Sequence, residues 1–82
     1  MAEILYFGKL QDITGFNRET RQMPADVTDT IALRKWLDQR FASAGLLLEP
    51  TVRIAINSVI ASEPADVCNS DEIALMPPVG GG

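Results

Sequence analysis

The sequence predicts an α+β fold, a roll in which one main helix lies on one mixed sheet of four to five strands. Three observations carry that expectation. Only one long stretch spaces its apolar residues by three and four, the rhythm of a helix packed along one side. Segments with two-residue alternation or dense β-branched and aromatic content stand near both ends and past the middle. Their order is strand, strand, helix, strand, short strand, strand, and a hairpin followed by a crossover helix lets the first and last strands lie side by side in mid-sheet.

Glu3 to Phe7 predicts the first strand, with Ile4 and Tyr6 on one face and Glu3, Leu5 and Phe7 on the other. Gly8 to Gly15 is a connection with a helical turn over Leu10 to Ile13, and Asn17 to Met23 predicts a polar second strand paired with the first. Thr28 to Ala44 predicts the main helix. Leu33, Trp36, Leu37, Phe41 and Ala44 form its apolar stripe, Thr28 or Asp29 caps its free N–H groups, and Gly45 stops it. Trp36 and Phe41, at this spacing, are core residues rather than a ligand box.

Thr51 to Asn57 alternates cleanly, with Val52, Ile54 and Ile56 opposite Arg53, Ala55 and Asn57. Asn57-Ser58 suits a turn into a short Val59-Ile60-Ala61 strand, and a loop containing Pro64 and Asn69-Ser70 leads to a last strand over Asp71 to Met76. The expected division is a folded domain over residues 1–76 and an extended tail over residues 77–82.

Composition narrows the function. Hydrophobic residues make up 46% and charged residues 22% of 82, an ordinary globular balance for one small domain. Such a domain buries roughly 60 to 65% of its unfolded surface, which leaves little room for a deep internal active site. Eleven acidic against seven basic residues, a net charge of −4, disfavour nucleic acid and favour a basic partner surface. Histidine is absent, which removes the commonest general base and metal ligand, so no metal site is expected.

Cys68 is the only cysteine, so neither an internal disulfide nor a multi-cysteine zinc site forms; beside Asp66, Asp71 and Glu72 it reads as a structural thiol rather than a nucleophile. The first residues lack the basic and apolar regions of a signal peptide, and no stretch approaches the roughly 18 apolar residues of a membrane span. A soluble, cytoplasmic protein with no membrane partner is the expectation.

The most informative feature is the ending Met76-Pro77-Pro78-Val79-Gly80-Gly81-Gly82. Two prolines stiffen the exit from the last strand, and a glycine-only tip passes through a channel too narrow for side chains. From Pro77 to Gly82 the chain reaches roughly 20 Å at about 3.3 Å per residue, enough to enter another protein's active site. The Gly82 carboxylate is thus a candidate chemical group on a stiff stalk.

Together with that ending, Ile4-Leu5-Tyr6-Phe7, Ala32-Leu33-Arg34, Ala55-Ile56-Asn57 and Asp71-Glu72-Ile73 span nearly the whole chain. On these segments the sequence resembles the small subunits of molybdopterin synthase, ubiquitin-like sulfur carriers of the β-grasp fold. The resemblance implies that a ubiquitin-activating-like adenylyltransferase, using ATP and magnesium, converts the Gly82 carboxylate to an acyl-adenylate. A sulfur donor then displaces AMP to leave a thiocarboxylate, the only covalent group carried, with no bound cofactor and no catalytic side chain.

It further implies that Pro77, Pro78, Val79, Gly80 and Gly81 insert into the synthase large subunit, in a heterotetramer of two small and two large subunits. There the sulfur passes to a cyclic pyranopterin precursor and forms the molybdopterin dithiolene. Gly80 departs from the family, where Ser, Thr or Ala is more usual.

Phe7, Ile60 and Met76, apolar and directed away from the helix, are the expected docking residues, with Leu5 extending them; Arg53 and Lys9 are candidates for steering. Other readings stay open on the same tip: sulfur delivery to thiamin thiazole or transfer RNA, a ubiquitin-like modifier joined to lysine, and an interaction domain with an inert tail.

Overall fold

The computed structural model describes residues 1–78; Val79, Gly80, Gly81 and Gly82 lie outside the described residues. The elements are β1 (Ala2–Tyr6), α1 (Leu10–Thr14), β2 (Arg18–Arg21), α2 (Thr30–Phe41), a 3-10 turn over Leu46–Leu48, β3 (Arg53–Ile56), β4 (Val59–Ile60) and β5 (Glu72–Met76). One five-stranded sheet has the order β2-β1-β5-β3-β4. β1 and β5 run parallel in its middle, and the other pairings are antiparallel. This is the expected mixed sheet with its terminal strands adjacent.

The inner sheet face follows from the alternation. Ala2, Ile4 and Tyr6 of β1, Ile54 of β3, and Ile73 and Leu75 of β5 are buried against Leu33 and Leu37 of α2. Each fully buried Leu or Ile contributes about 1.5–3 kcal/mol, so the two helix leucines together add about 3–6 kcal/mol to the packing of α2 on the sheet. Trp36 and Phe41 flank this core half-buried, with the Arg40 guanidinium 5.0 Å from the Trp36 ring centre and 4.6 Å from that of Phe41.

The helix is shorter than its apolar stripe predicts. Asp29, not Thr28, caps it by accepting a 2.9 Å hydrogen bond from the Ala32 N–H. It ends at Phe41 because Ala42 turns left-handed (φ 49°), which leaves Ala44 exposed outside it. Gly45 does not stop the helix but opens the 3-10 turn. The cause is Asp38, whose carboxylate accepts from the Ser43 hydroxyl and the Gly45 N–H and so draws the chain into a tight loop.

That loop lowers Leu47 into the core. The second strand also contracts, from the expected Asn17 to Met23 to Arg18–Arg21. Between β3 and β4, Asn57 and Ser58 both take positive φ (51° and 71°), a two-residue hairpin turn whose first position suits Asn.

Candidate functional site

The stalk begins where β5 ends. Leu75 pairs with Tyr6 of β1 on one side and Ile54 of β3 on the other, and Met76 pairs with Arg53. Pro77 follows half-buried and Pro78 exposed. Pro77 lies against Gly8, which has φ 55°; a Cβ added to Gly8 would fall 2.9 Å from the Pro77 Cγ. Gly8 therefore leaves the space in which the stalk leaves the sheet, a role visible only once β1 and β5 are known to be neighbours.

The register sorts the outer sheet face into rows. At the tail end, Tyr6 beside Leu75 brings Phe7 next to Met76, with Arg53 beyond. One row back lie Arg18, Leu5, Ala74, Ala55 and Ile60. Farther from the tail come Thr20, Glu3 and Glu72. The face is thus apolar near the stalk and acidic at its far end.

Phe7 is 46% exposed and Ile60 52%, while Met76 is half-buried. The structure brings Phe7 and Met76 together, and it sets Ile60 on the edge strand with two alanines between it and Leu5. The result is a shallow trough with apolar walls rather than one compact cluster. Arg53 stands at its tail end, and exposed Lys9 follows Gly8 in sequence.

Three further hydrogen-bonded arrangements fasten the sheet to the helix and loops around it. Asn57 donates to the Asp71 carboxylate (2.9 Å) and accepts from the Glu72 N–H (2.9 Å), so two segments quoted for the resemblance tie the start of β5 to the β3–β4 turn. Arg34 is buried and spends its five N–H donors on the Glu63 carboxylate (2.9 and 2.6 Å) and the carbonyls of Leu47, Glu49 and Val52 (2.9, 3.0 and 2.5 Å). This hydrogen bonding holds the Glu63 carboxyl below the ordinary glutamate range against a smaller upward push from burial.

On the other flank, buried Glu19 accepts from the Tyr6 hydroxyl (2.6 Å) and twice from Arg40 (3.1 and 3.0 Å). Burial pushes its carboxyl up, but Arg40, Tyr6 and Arg21 together bring it below the ordinary range. Burial and the adjacent carboxylate push the Tyr6 hydroxyl the other way, so it remains a protonated donor. Sequence reasoning missed both arginines as anchors. The available signals were an Arg on the apolar side of α2 and a Glu at the inward position of β2.

Exposed Cys68 bonds Ser70 through its thiol (2.9 Å) and Asp71 through its N–H (2.8 Å). Among the described residues no group of three His, Cys, Asp or Glu could hold a metal ion, and no helix is long and apolar enough to cross a membrane. Of the expected tail residues only Pro77 and Pro78 are described; Val79, Gly80, Gly81 and the reactive candidate Gly82 lie outside the described residues.

The ThiS family model matches residues 4–82. A molybdopterin synthase sulfur carrier subunit from Haemophilus influenzae is 32% identical over 83 residues, covering the whole of both chains. The human protein of the same name is 32% identical over 88 residues, covering 99% of this chain and 93% of its own. Among solved structures, SAMP1 from Haloferax volcanii superposes with a TM-score of 0.76 at 20% identity, covering 99% of this chain and 98% of that one. This structural likeness shows the ubiquitin-like β-grasp fold. Matched by the family model over nearly its whole length and by two end-to-end relatives, the chain belongs to the ThiS family.

Proposed function

We propose that the protein is the sulfur-carrier subunit of molybdopterin synthase and that its reactive group is the carboxylate Gly82 presents where it ends the mature chain. The observation that supports this most is the launch of the stalk. β5 is paired on both sides, and Pro77 and Pro78 follow it directly beside the apolar half of the open face. A rigid base next to a docking surface suits a chain end that must enter another protein repeatedly. The names of the two curated relatives supply the choice of pathway.

The chemistry follows from the group. A carboxylate is a poor electrophile, so its oxygen first attacks the α-phosphorus of ATP and pyrophosphate leaves. Sulfur at the sulfide level, as hydrosulfide from the donor, then adds to the acyl carbon of the adenylate, and AMP departs to give a thiocarboxylate. Ionised at neutral pH, that soft sulfur is a strong nucleophile of the kind an activated cysteine provides elsewhere. Inside the large subunit the sulfur forms a bond to a precursor carbon as an oxygen substituent of that carbon leaves, and water then cleaves the acyl–sulfur bond, leaving sulfur on the product and restoring the carboxylate.

Phe7, Met76 and Ile60 serve docking, Pro77 to Gly81 span the channel, and magnesium-bound ATP belongs to the activating enzyme. The test is to incubate the protein with ATP, an activating enzyme and a sulfur donor, then weigh the C-terminal peptide. One oxygen replaced by sulfur, and loss of that sulfur on adding the large subunit with precursor, are expected. A terminus unchanged in mass, or ladders of lysine conjugates in its place, overturns the assignment.

A further inference from the structure

Outside the trough, an apolar cleft of about 300 Å³ is lined by Ile31, Leu48, Pro50 and Pro64 around the Arg34–Glu63 pair. Ile31 is 50% and Leu48 44% exposed, in a domain whose other large aliphatic side chains are mostly interior. The loops that carry this rim have little regular structure, yet Arg34 holds both of them with all five of its donors. An apolar surface on pinned loops is pre-organised, which lowers the entropy cost of covering it. Its charged groups neutralise each other, so what fits the cleft is an apolar side chain rather than an ion.

Position selects the occupant. Arg34 bonds the carbonyl of Val52, whose neighbour Arg53 pairs with Met76 at the foot of the stalk. The cleft therefore begins one strand from the tail exit, and adjacent strands lie about 4.8 Å apart. On the carrier reading above, with Gly82 as the reactive end, Val79 to Gly82 reach at most about 13 Å beyond Pro78. A protein that takes hold of the last residue must bring its surface up to the stalk. A standard interface of about 800 Å² per partner extends roughly 16 Å around its centre, well beyond the single strand spacing between the stalk's foot and the strand that Arg34 ties to the cleft.

We propose that the cleft between Leu48-Pro50 and Glu63-Pro64 is a second docking surface for the protein that receives the tail, separate from the sheet trough and filled by an apolar side chain of that protein. This rests on the carrier reading above, which makes the synthase large subunit the probe. Ile31→Asp and Leu48→Asp, combined, place charge in the cleft at half-exposed positions that the core does not need.

Calorimetric titration with the large subunit is expected to show at least tenfold weaker binding for the double variant, while its melting temperature stays within about 2 °C of the parent. If the parent binds and the double variant binds equally well, the cleft is not a docking surface and the carrier reading stands. If the parent itself fails to bind, the carrier reading falls and this inference with it. Sedimentation of the protein alone adds one more outcome: a dimer of the parent that the double variant loses would make a second copy the occupant and overturn the proposal. Should the double variant melt early, Leu48→Asp alone is measured against the same criteria.

Discussion

Phe7 and Met76 adjoin in the row nearest the stalk, so a partner that covers the tail exit desolvates both. Phe7 is almost half exposed and contributes little to the core, which separates docking from folding at this position. Phe7→Ala is expected to weaken large-subunit binding about tenfold or more in calorimetry with the fold retained, since a buried aromatic anchor is worth 1–2 kcal/mol or more. Met76→Asp, which sets a carboxylate in the same row, is expected to weaken it at least as much. Unchanged affinity for both would remove the trough from the interface.

Glu19 illustrates a different balance at the same scale. Its folded carboxyl titrates below the ordinary glutamate value, so the stability it contributes is fully present above that value and is lost as pH falls through the lowered one. Denaturant midpoints measured from neutral pH down to about pH 3 are therefore expected to drop in acid, and less steeply in Glu19→Gln. An acid limb identical in parent and variant would show that this carboxylate is not a source of the loss.

Among the elements, α2 separates what periodicity can reveal from what it cannot. Its core stripe as far as Phe41 was legible, and its N-cap was narrowed to Thr28 or Asp29, because both depend on residues within a turn of one another. Asp29→Ala is expected to cost about 1 kcal/mol in urea denaturation, with loss of the bond to the Ala32 N–H as the cause. Its C-terminal end was not legible, because Asp38 reorganises residues 43–47 through bonds that carry no apolar signature. The Leu46–Leu48 turn escaped notice for the same reason, since three leucines in a row have no period. The first hairpin and the adjacency of the first and last strands were readable from the connections, whereas the places of β3 and β4 and the seat of the stalk were not.

That seat depends on Gly8 meeting Pro77, residues far apart in sequence that a parallel β1–β5 pair makes neighbours. Gly8→Val is expected both to strain a left-handed backbone and to push Pro77 aside. It should slow sulfur loading by the activating enzyme more than the loss of melting temperature alone accounts for. A loading rate that merely follows stability would mean that the stalk's direction does not matter.

For the whole molecule, the carrier reading puts folding and chemistry on separate lengths of chain. Among the described residues, every buried hydrophobic side chain lies between Ala2 and Leu75, upstream of Pro77. Removing Gly82 takes away none of those contacts and shortens the reach of the carrier by one residue, about 3.3 Å. Deletion of Gly82 is therefore expected to leave the melting temperature within about 2 °C of the parent, less than about 0.5 kcal/mol for a domain of this size. Sulfur loading read by mass should vanish in the same sample, because the carboxylate then stops short of the site that activates it. Loading that survives the deletion would mean that the activating enzyme tolerates a shorter arm and that reach is not the limiting quantity. A large drop in melting temperature would mean that the tip packs on the domain, which would contradict a scaffold whose stability is invested entirely upstream of the residues that react.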